Sequence, residues 1–454
     1  MDKFKKLRQD YPIFEYNSYK IEYKEESIKV QYDFNVPGLT QFRPSWDFPF
    51  DGKLTINQKQ LFENVIFNLG MVEVISYLKA TCSPKLIVKA GVLNSEQIDW
   101  YKKLYLNGLG EFFYVNGLAH EMNIDTFLDI ICETDKSSST ESKLNIELKG
   151  NLIPVGGGKD SALTLEVLKE EKNNNTCYIV NPRGASYECA KIAGYDDEKI
   201  YCPKRYLDKK IIELNSQGFL NGHTPFSAIL AFSSYASAIL LREKYIVLSN
   251  EDSANESNVE GTNINHQYSK SIEFENDFRD YAKNYLCENG PEYFSLLRPI
   301  SEWQIVKGFV KNPKYFSIFK SCNVGSKTDV WCENCPKCLY VYIMLAAFLE
   351  DRDMNKIFKT NMLQNDKLEN IFNGLVYPDY DKPFECVGTK EEVNLSIDMI
   401  ISKLEKQNKE LPTLLIDYAI EEGLEERINK MVNNWNNNNN LPKEFEIKLK
   451  EYLM

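Results

Sequence analysis

The chain has 454 residues, 43% of them hydrophobic, which is enough for two or three domains with buried cores. Its formal net charge of −12 disfavours nucleic acid as a partner. Eleven cysteines, an odd number, fit a reducing compartment rather than a disulfide framework.

The segment Met1–Lys20 has no apolar core and no cleavage site, so it does not read as a signal peptide. Tyr19–Tyr23 and the alternating Ser27–Phe34 predict a hairpin, with Ile28, Val30, Tyr32 and Phe34 on one face. Asn57–Lys79 reads as an amphipathic helix carrying Leu61, Val65, Leu69, Val72 and Ile75 on one side. Leu86–Val92 is strand-like, and Ser95–Leu106 resembles a capped helix. These elements predict an α+β N-terminal domain over residues 1–140, closed by the polar, serine-rich linker Asp135–Lys143.

The pattern then changes. Leu144–Val155 is strand-like and stops at three glycines; Ser161–Glu171 is helical. Cys177–Val180 is a short strand ending at Asn181-Pro182, and Ile200–Cys202 is another. Thr224–Arg242 is a helix and Tyr245–Leu248 a strand. This alternation predicts an α/β domain, a parallel sheet covered by helices, over residues 144–390. The longest apolar stretch, Pro225–Leu241, holds four serines and is short for a span, so a buried helix is expected and no membrane segment. Residues 391–454 are rich in Lys, Glu and Leu and read as a helical extension, with Asn433–Asn440 as a solvated loop.

A strand, then Gly156-Gly157-Gly158-Lys159-Asp160-Ser161, then a helix is an arrangement that holds anions. Glycines let backbone N–H groups approach phosphate, and the helix N-terminus adds positive charge. Lys159 can neutralise phosphate, Ser161 can donate to it, and Asp160 can hold Mg²⁺ or cap the helix. The loop is not a Walker A loop, because aspartate follows the lysine and the glycines are adjacent. It resembles the PP-loop of ATP pyrophosphatases, written S-G-G-x-D-S, with Gly156 where that family carries serine. The resemblance implies cleavage of ATP between its α- and β-phosphates.

Cys322, Cys332, Cys335 and Cys338 follow the spacing C-x9-C-x2-C-x2-C, which suits a structural tetrahedral zinc site; an iron–sulfur cluster or free buried cysteines are the alternatives. Two polar stretches contain histidine: Asn221-Gly222-His223, and Asn265-His266-Gln267-Tyr268-Ser269-Lys270-Ser271. A third polar stretch, Ser249–Glu256, follows the strand Tyr245–Leu248, where an open sheet binds its ligands. Glu251 and Glu256 are candidates for Mg²⁺ or a substrate amine, Lys270 for a carboxylate or phosphate, and His223 and His266 for proton transfer.

Together these motifs resemble the MurL family of UDP-N-acetyl-muramoyl-L-alanyl-L-glutamate epimerases. Phe67–Gly70, Ser76–Cys82 and Gly108-Leu109-Gly110-Glu111-Phe112-Phe113 also look familial, so the resemblance spans roughly residues 10–350. It implies a cytoplasmic enzyme that adenylates the terminal L-glutamate of UDP-MurNAc-L-Ala-L-Glu and inverts its α-carbon, consuming ATP with Mg²⁺. On that reading Gly156–Ser161 and Asn181 bind the nucleotide, and Asp160 and Glu251 hold Mg²⁺. His223 and His266 exchange the proton, and Lys270 holds a substrate carboxylate. Other expectations are a PP-loop enzyme with a different carboxylate acceptor, and a non-catalytic, zinc-stabilised nucleotide-binding regulator.

Overall fold

The computed structural model describes residues 3–119, 122–134, 143–259, 262 and 264–454, without the side chains of residues 326 and 327. His120, and the expected linker apart from Lys143, lie outside the described residues. The strands are β1 (Ile13–Tyr23), β2 (Ser27–Val36), β3 (Thr40–Phe42), β4 (Ser45–Pro49), β5 (Lys85–Val88) and β6 (Asp129–Cys132). They continue with β7 (Asn151–Pro154), β8 (Asn175–Tyr178), β9 (Ile200–Tyr201), β10 (Lys204–Tyr206), β11 (Tyr245–Leu248) and β12 (Glu292–Ser295).

The first sheet has the order β10-β4-β2-β1-β5-β6, with β3 also on β2. β1 and β2 form the expected antiparallel hairpin, with Tyr23 opposite Ile28 and a bulge at Asn17. Ile28, Val30, Tyr32, Phe34 and Val36 are buried while Lys29 and Gln31 are exposed, as strict alternation requires. β5 and β6 add in parallel beyond β1.

The helix Ile56–Leu78 packs on this sheet and against the helix Phe226–Leu241. It starts at a capping box in which Thr55 and Gln58 satisfy each other's backbone N–H. The expected one-sided apolar stripe is not what forms. Every residue from Val65 to Leu78 is buried, because the helix is covered by the sheet on one side and by helices on others. It is also the one described helix long and apolar enough by length and composition to cross a membrane, and it is buried within the protein; Phe226–Leu241 is the buried helix expected. Its buried polar groups are paired. Glu73 accepts two bonds of 2.7 Å from Arg205 of β10 and one of 2.8 Å from the Trp46 indole. Asn68 Oδ1 accepts from the hydroxyls of Tyr101 (2.8 Å) and Tyr281 (2.5 Å).

The second sheet has the order β12-β11-β7-β8-β9. β7 and β11 are parallel, with Tyr245 opposite Asn151. The bonds Glu292 N–H to Lys244 O and Leu296 N–H to Leu248 O advance in step, so β12 is parallel to β11 as well. β7 and β11 are buried along their whole length, the pattern of a sheet covered on both faces. The expected strand from Leu144 is shorter: it begins at Asn151, because Gly150 turns the chain at φ +89° immediately before it. The helix expected over Ser161–Glu171 spans Lys159–Val167 and passes into a 3₁₀ turn.

The chain divides into two compact units that interleave in sequence. One comprises residues 1–152, 201–246 and 264–293; the other comprises 153–200, 247–263 and 294–454. The second unit carries the glycine loop, the cysteine cluster and the C-terminal helices Lys390–Lys406, Leu424–Val432 and Lys443–Leu453. Asn433–Asn440 contains neither helix nor strand, as its composition predicts.

Candidate functional site

The glycine loop leaves the C-terminal end of β7, where the N–H of Val155 bonds to the carbonyl of Tyr178 in β8. Gly157 has φ +85°, and a Cβ there would meet the backbone of Ala185 and Ser186 at 2.6–2.7 Å, so only glycine fits. Gly158 is the N-cap of the helix Lys159–Val167 and offers no capping side chain. Ser161 Oγ accepts from the N–H of Gly157 (3.2 Å) and donates to the Gly158 carbonyl (3.1 Å). Asn181, just beyond β8, holds a left-handed φ of +49°.

Lys159 points inward. Its ammonium is buried between Asp160, at 2.5 Å, and Glu302, a residue the sequence reading did not single out. Burial alone would lower this lysine, but Asp160 and Glu302 outweigh it and hold it above its ordinary value. Glu302 is itself fully buried. Burial raises its carboxyl, Lys159 opposes that rise, and repulsion from Asp160 and Glu251 adds to it. Glu251 is 4% exposed, and its carbonyl accepts 2.6 Å from the buried Arg298 guanidinium. Asp160 and Glu251 therefore both act electrostatically on Glu302, and carboxylates of this kind are the ligands a hard divalent cation takes. Glu256 is separate, being half-exposed and ion-paired with Lys382.

The four cysteines come together. Cys322 and Cys335 sulfurs are 3.9 Å apart, Cys332 and Cys338 are 3.8 Å apart, and all four lie within 4.8 Å of one another. A tetrahedral ion with metal–sulfur bonds of about 2.3 Å sets sulfurs about 3.8 Å apart, so the donor set fits one such ion. The turn between Cys332 and Cys335 places Glu333 at φ +53°, and the N–H of Gly325 donates to Cys322 Sγ at 3.1 Å. The hydrogen bond between Cys335 and Cys338 lowers the Cys335 thiol and raises that of Cys338, so the proton is shared unevenly within the cluster.

The other unit carries the two described histidines, and it brings them together. His266 Nδ1 lies 2.5 Å from Glu111 Oε2 and His223 Nδ1 lies 3.3 Å from the same oxygen. Their ring centroids are 4.4 Å apart. Glu111 lies in the first turn of the short helix Gly110–Val115, His223 precedes the helix Phe226–Leu241, and His266 precedes the turn Tyr268–Lys270. Burial, then the charge of His266, bring His223 down to about 4, with Lys79 and Lys270 contributing and Glu111 opposing. At neutral pH His223 is therefore an uncharged base. Lys79 braces this histidine from both sides, donating to the Gly222 carbonyl at 2.5 Å and to Thr224 Oγ1 at 2.7 Å. Burial, then Arg205, lower Lys79 to about 8. The same three side chains offer ligand atoms to a metal. The positive charges of Lys79 and Lys270 beside His223 favour proton transfer over a second cation.

Residues 5–296 match the sequence model of the MurL N-terminal domain, and residues 317–428 that of the MurL C-terminal domain. The chain belongs to the MurL family. A relative from Xanthomonas oryzae pv. oryzae is 31% identical over 345 residues, covering 74% of each chain. One from Salinispora tropica is 30% identical over 357 residues, covering 77% of this chain and 76% of its own. One from a Micromonospora species is 31% identical, covering 77% of each chain. All three are named UDP-N-acetyl-alpha-D-muramoyl-L-alanyl-L-glutamate epimerase. No solved structure matches the chain. The MurL N-terminal match contains the glycine loop and both histidines, and the C-terminal match contains all four cysteines. Lys79 and Glu111 lie inside motifs already recognised as MurL-like, but nothing in those motifs alone gives either residue a role. Glu302 falls between the two matched regions.

Proposed function

We propose that this protein is an ATP-dependent epimerase of UDP-MurNAc-L-Ala-L-Glu, acting in peptidoglycan precursor synthesis. The observation that carries the reading is two imidazoles held on one carboxylate, in a chain that also has a glycine loop suited to phosphate. An α-proton next to a carboxylate is hard to remove, because its loss would place two negative charges side by side. ATP supplies the remedy: adenylation of the terminal carboxylate removes its charge, with release of pyrophosphate. Gly156, Gly157, Gly158, Lys159 and Ser161, with Asn181, would hold the nucleotide. Asp160 and Glu251 would hold Mg²⁺, and the four cysteines a structural zinc ion.

The chain's own residues then act on the proton. The uncharged imidazole of His223 takes the α-proton, and His266, hydrogen-bonded through Nδ1 to Glu111, serves the opposite face. Return of a proton to that face inverts the centre, and water releases AMP and regenerates the carboxylate. Lys270 would hold the second carboxylate of the glutamyl group.

The test uses UDP-MurNAc-L-Ala-L-Glu, ATP and Mg²⁺ in D₂O, following pyrophosphate, D-glutamate content and deuterium at the α-carbon. Wild type should release pyrophosphate and incorporate deuterium with inversion. His223→Gln and His266→Gln should each release pyrophosphate while exchange falls by roughly 10²-fold or more. Full exchange in both variants removes the acid/base assignment. Pyrophosphate release without inversion points to another acceptor, and nucleotide binding without pyrophosphate release to a regulator.

A further inference from the structure

The cysteine centre touches the glycine loop's surroundings at several independent points, all within one compact unit. The segment entering Cys322 lies on the loop: the N–H of Lys320 donates to the Gly157 carbonyl at 2.9 Å. The next residue, Ser321, sits where a Cβ on Gly158 would be 2.8 Å from its hydroxyl. Between Cys322 and Cys332, Asp329 accepts from the N–H groups of Gly184 (3.0 Å) and Ala185 (3.2 Å). The backbone of Ala185 and Ser186 is the surface that closes on Gly157. Between Cys335 and Cys338, Lys337 is 6% exposed, is anchored to the Cys386 carbonyl, and lies 5.2 Å from the Tyr340 ring centroid. The Tyr340 hydroxyl and the Glu302 Cβ both line the space at Gly388, lying 2.6 and 3.3 Å from where a Cβ on that glycine would stand. The charge of Lys337 acts on Glu302, the partner of Lys159.

This arrangement gives Lys337 a task. For Lys159 to reach phosphate it must leave Glu302, and a buried carboxylate stripped of its partner is costly. A second cation held in the same buried region, whose charge acts on Glu302, lowers that cost. The position of that cation is fixed by the metal turn, since Lys337 lies directly between two metal-ligating cysteines.

We propose that the metal of the four-cysteine centre and the phosphates on the glycine loop bind cooperatively, with Lys337 as the coupling side chain. The centre is then part of the nucleotide site and more than a staple. The inference rests on the reading that the loop holds ATP. Lys337 is a positioning residue, acting through Glu302 on Lys159, while Lys320, Ser321 and Asp329 transmit the centre's order to the loop backbone. Linkage makes the effect reciprocal: whatever factor the metal adds to ATP affinity, ATP adds to metal affinity.

The test needs no acceptor substrate and no turnover. ATP affinity is measured with Mg²⁺ by calorimetry on zinc-loaded protein and on protein depleted by a chelator, with circular dichroism reporting folding. Zinc extraction by a competing chelator is measured with and without ATP. Depletion should weaken ATP binding by about tenfold, and ATP should shift the extraction equilibrium by the same factor. Since depletion can also unfold the protein, Lys337→Met is assayed with its zinc content verified. It should lose about tenfold in ATP affinity and abolish the effect of ATP on zinc extraction, and Lys337→Arg should restore both. Wild-type ATP affinity in Lys337→Met, or zinc extraction indifferent to ATP, overturns the proposal while leaving the nucleotide reading intact. Absence of ATP binding by zinc-loaded wild type overturns both.

Discussion

Glu111 orients two imidazoles at once. Its Oε2 faces Nδ1 of both His266 and His223, which directs each ring's Nε2 away from the carboxylate. Glu111→Gln keeps the shape but removes the charge. Deuterium exchange at the glutamyl α-carbon should then fall by roughly 10²-fold while ATP-dependent pyrophosphate release persists. Loss of both activities together would mean that Glu111 is structural. His223 also has a thermodynamic signature. Its folded value is depressed to about 4 from 6.5, so the unfolded chain takes up a proton first as pH falls. Its contribution to stability is complete above about pH 6.5 and is lost progressively as pH drops towards 4. Urea unfolding at pH 7.5 and pH 5 should show wild type losing about 2 kcal/mol that His223→Gln does not lose. The histidines themselves were legible in the sequence, because each stands in a polar stretch at the border of a predicted element. Their partner was not: Glu111 lies 155 residues from His266, and no local pattern encodes a pairing over that distance.

The glycine loop is the element whose sequence pattern and geometry agree most directly. Strand, glycines and helix appear in the expected order because a left-handed turn at Gly157 is open only to glycine. Gly157→Ala should cost about 1–3 kcal/mol and weaken ATP binding, because the new methyl strikes backbone that a side-chain rotation cannot clear. Unchanged melting temperature and ATP affinity would contradict that. Elements read by periodicity fared according to their surroundings. Ser27–Phe34 alternates because its sheet has one buried and one wetter face, so the hairpin could be read. The helix Ile56–Leu78 was found, but its one-sided stripe was an artefact of counting only aliphatic residues. Phe62, Phe67, Met71 and Tyr77 bury the other faces, and Asn68 and Glu73 are inside because Tyr101, Tyr281 and Arg205 reach them. The helices Gly184–Ile192 and Glu302–Phe309 escaped the sequence reading, being short and lacking a long apolar repeat. Glu302 was missed with the second of them.

For the whole molecule, the interleaving of the two units was invisible in the sequence, since composition shifts mark linkers and not returns of the chain to an earlier unit. It also changes what a partial chain is. A fragment of residues 1–152 contains β1–β6 and the helix Ile56–Leu78 but lacks β10 and the helix Phe226–Leu241, which packs along that helix. Such a fragment should bind a hydrophobic dye strongly and aggregate at micromolar concentration; a monomeric, dye-silent fragment would show that the first segment completes its own core.

The same order governs synthesis on the ribosome. The 23-residue helix Ile56–Leu78, most of it buried in the finished fold, emerges early, and the helix that packs along it is translated only with residues 226–241. For the intervening stretch of elongation, the face of that helix which meets residues 226–241 is left to water. A holdase chaperone, or a slow approach to the completed fold, is the natural companion of that delay. Translation speed across the segment before residue 226 thereby becomes a determinant of yield, separate from the stability of the finished protein.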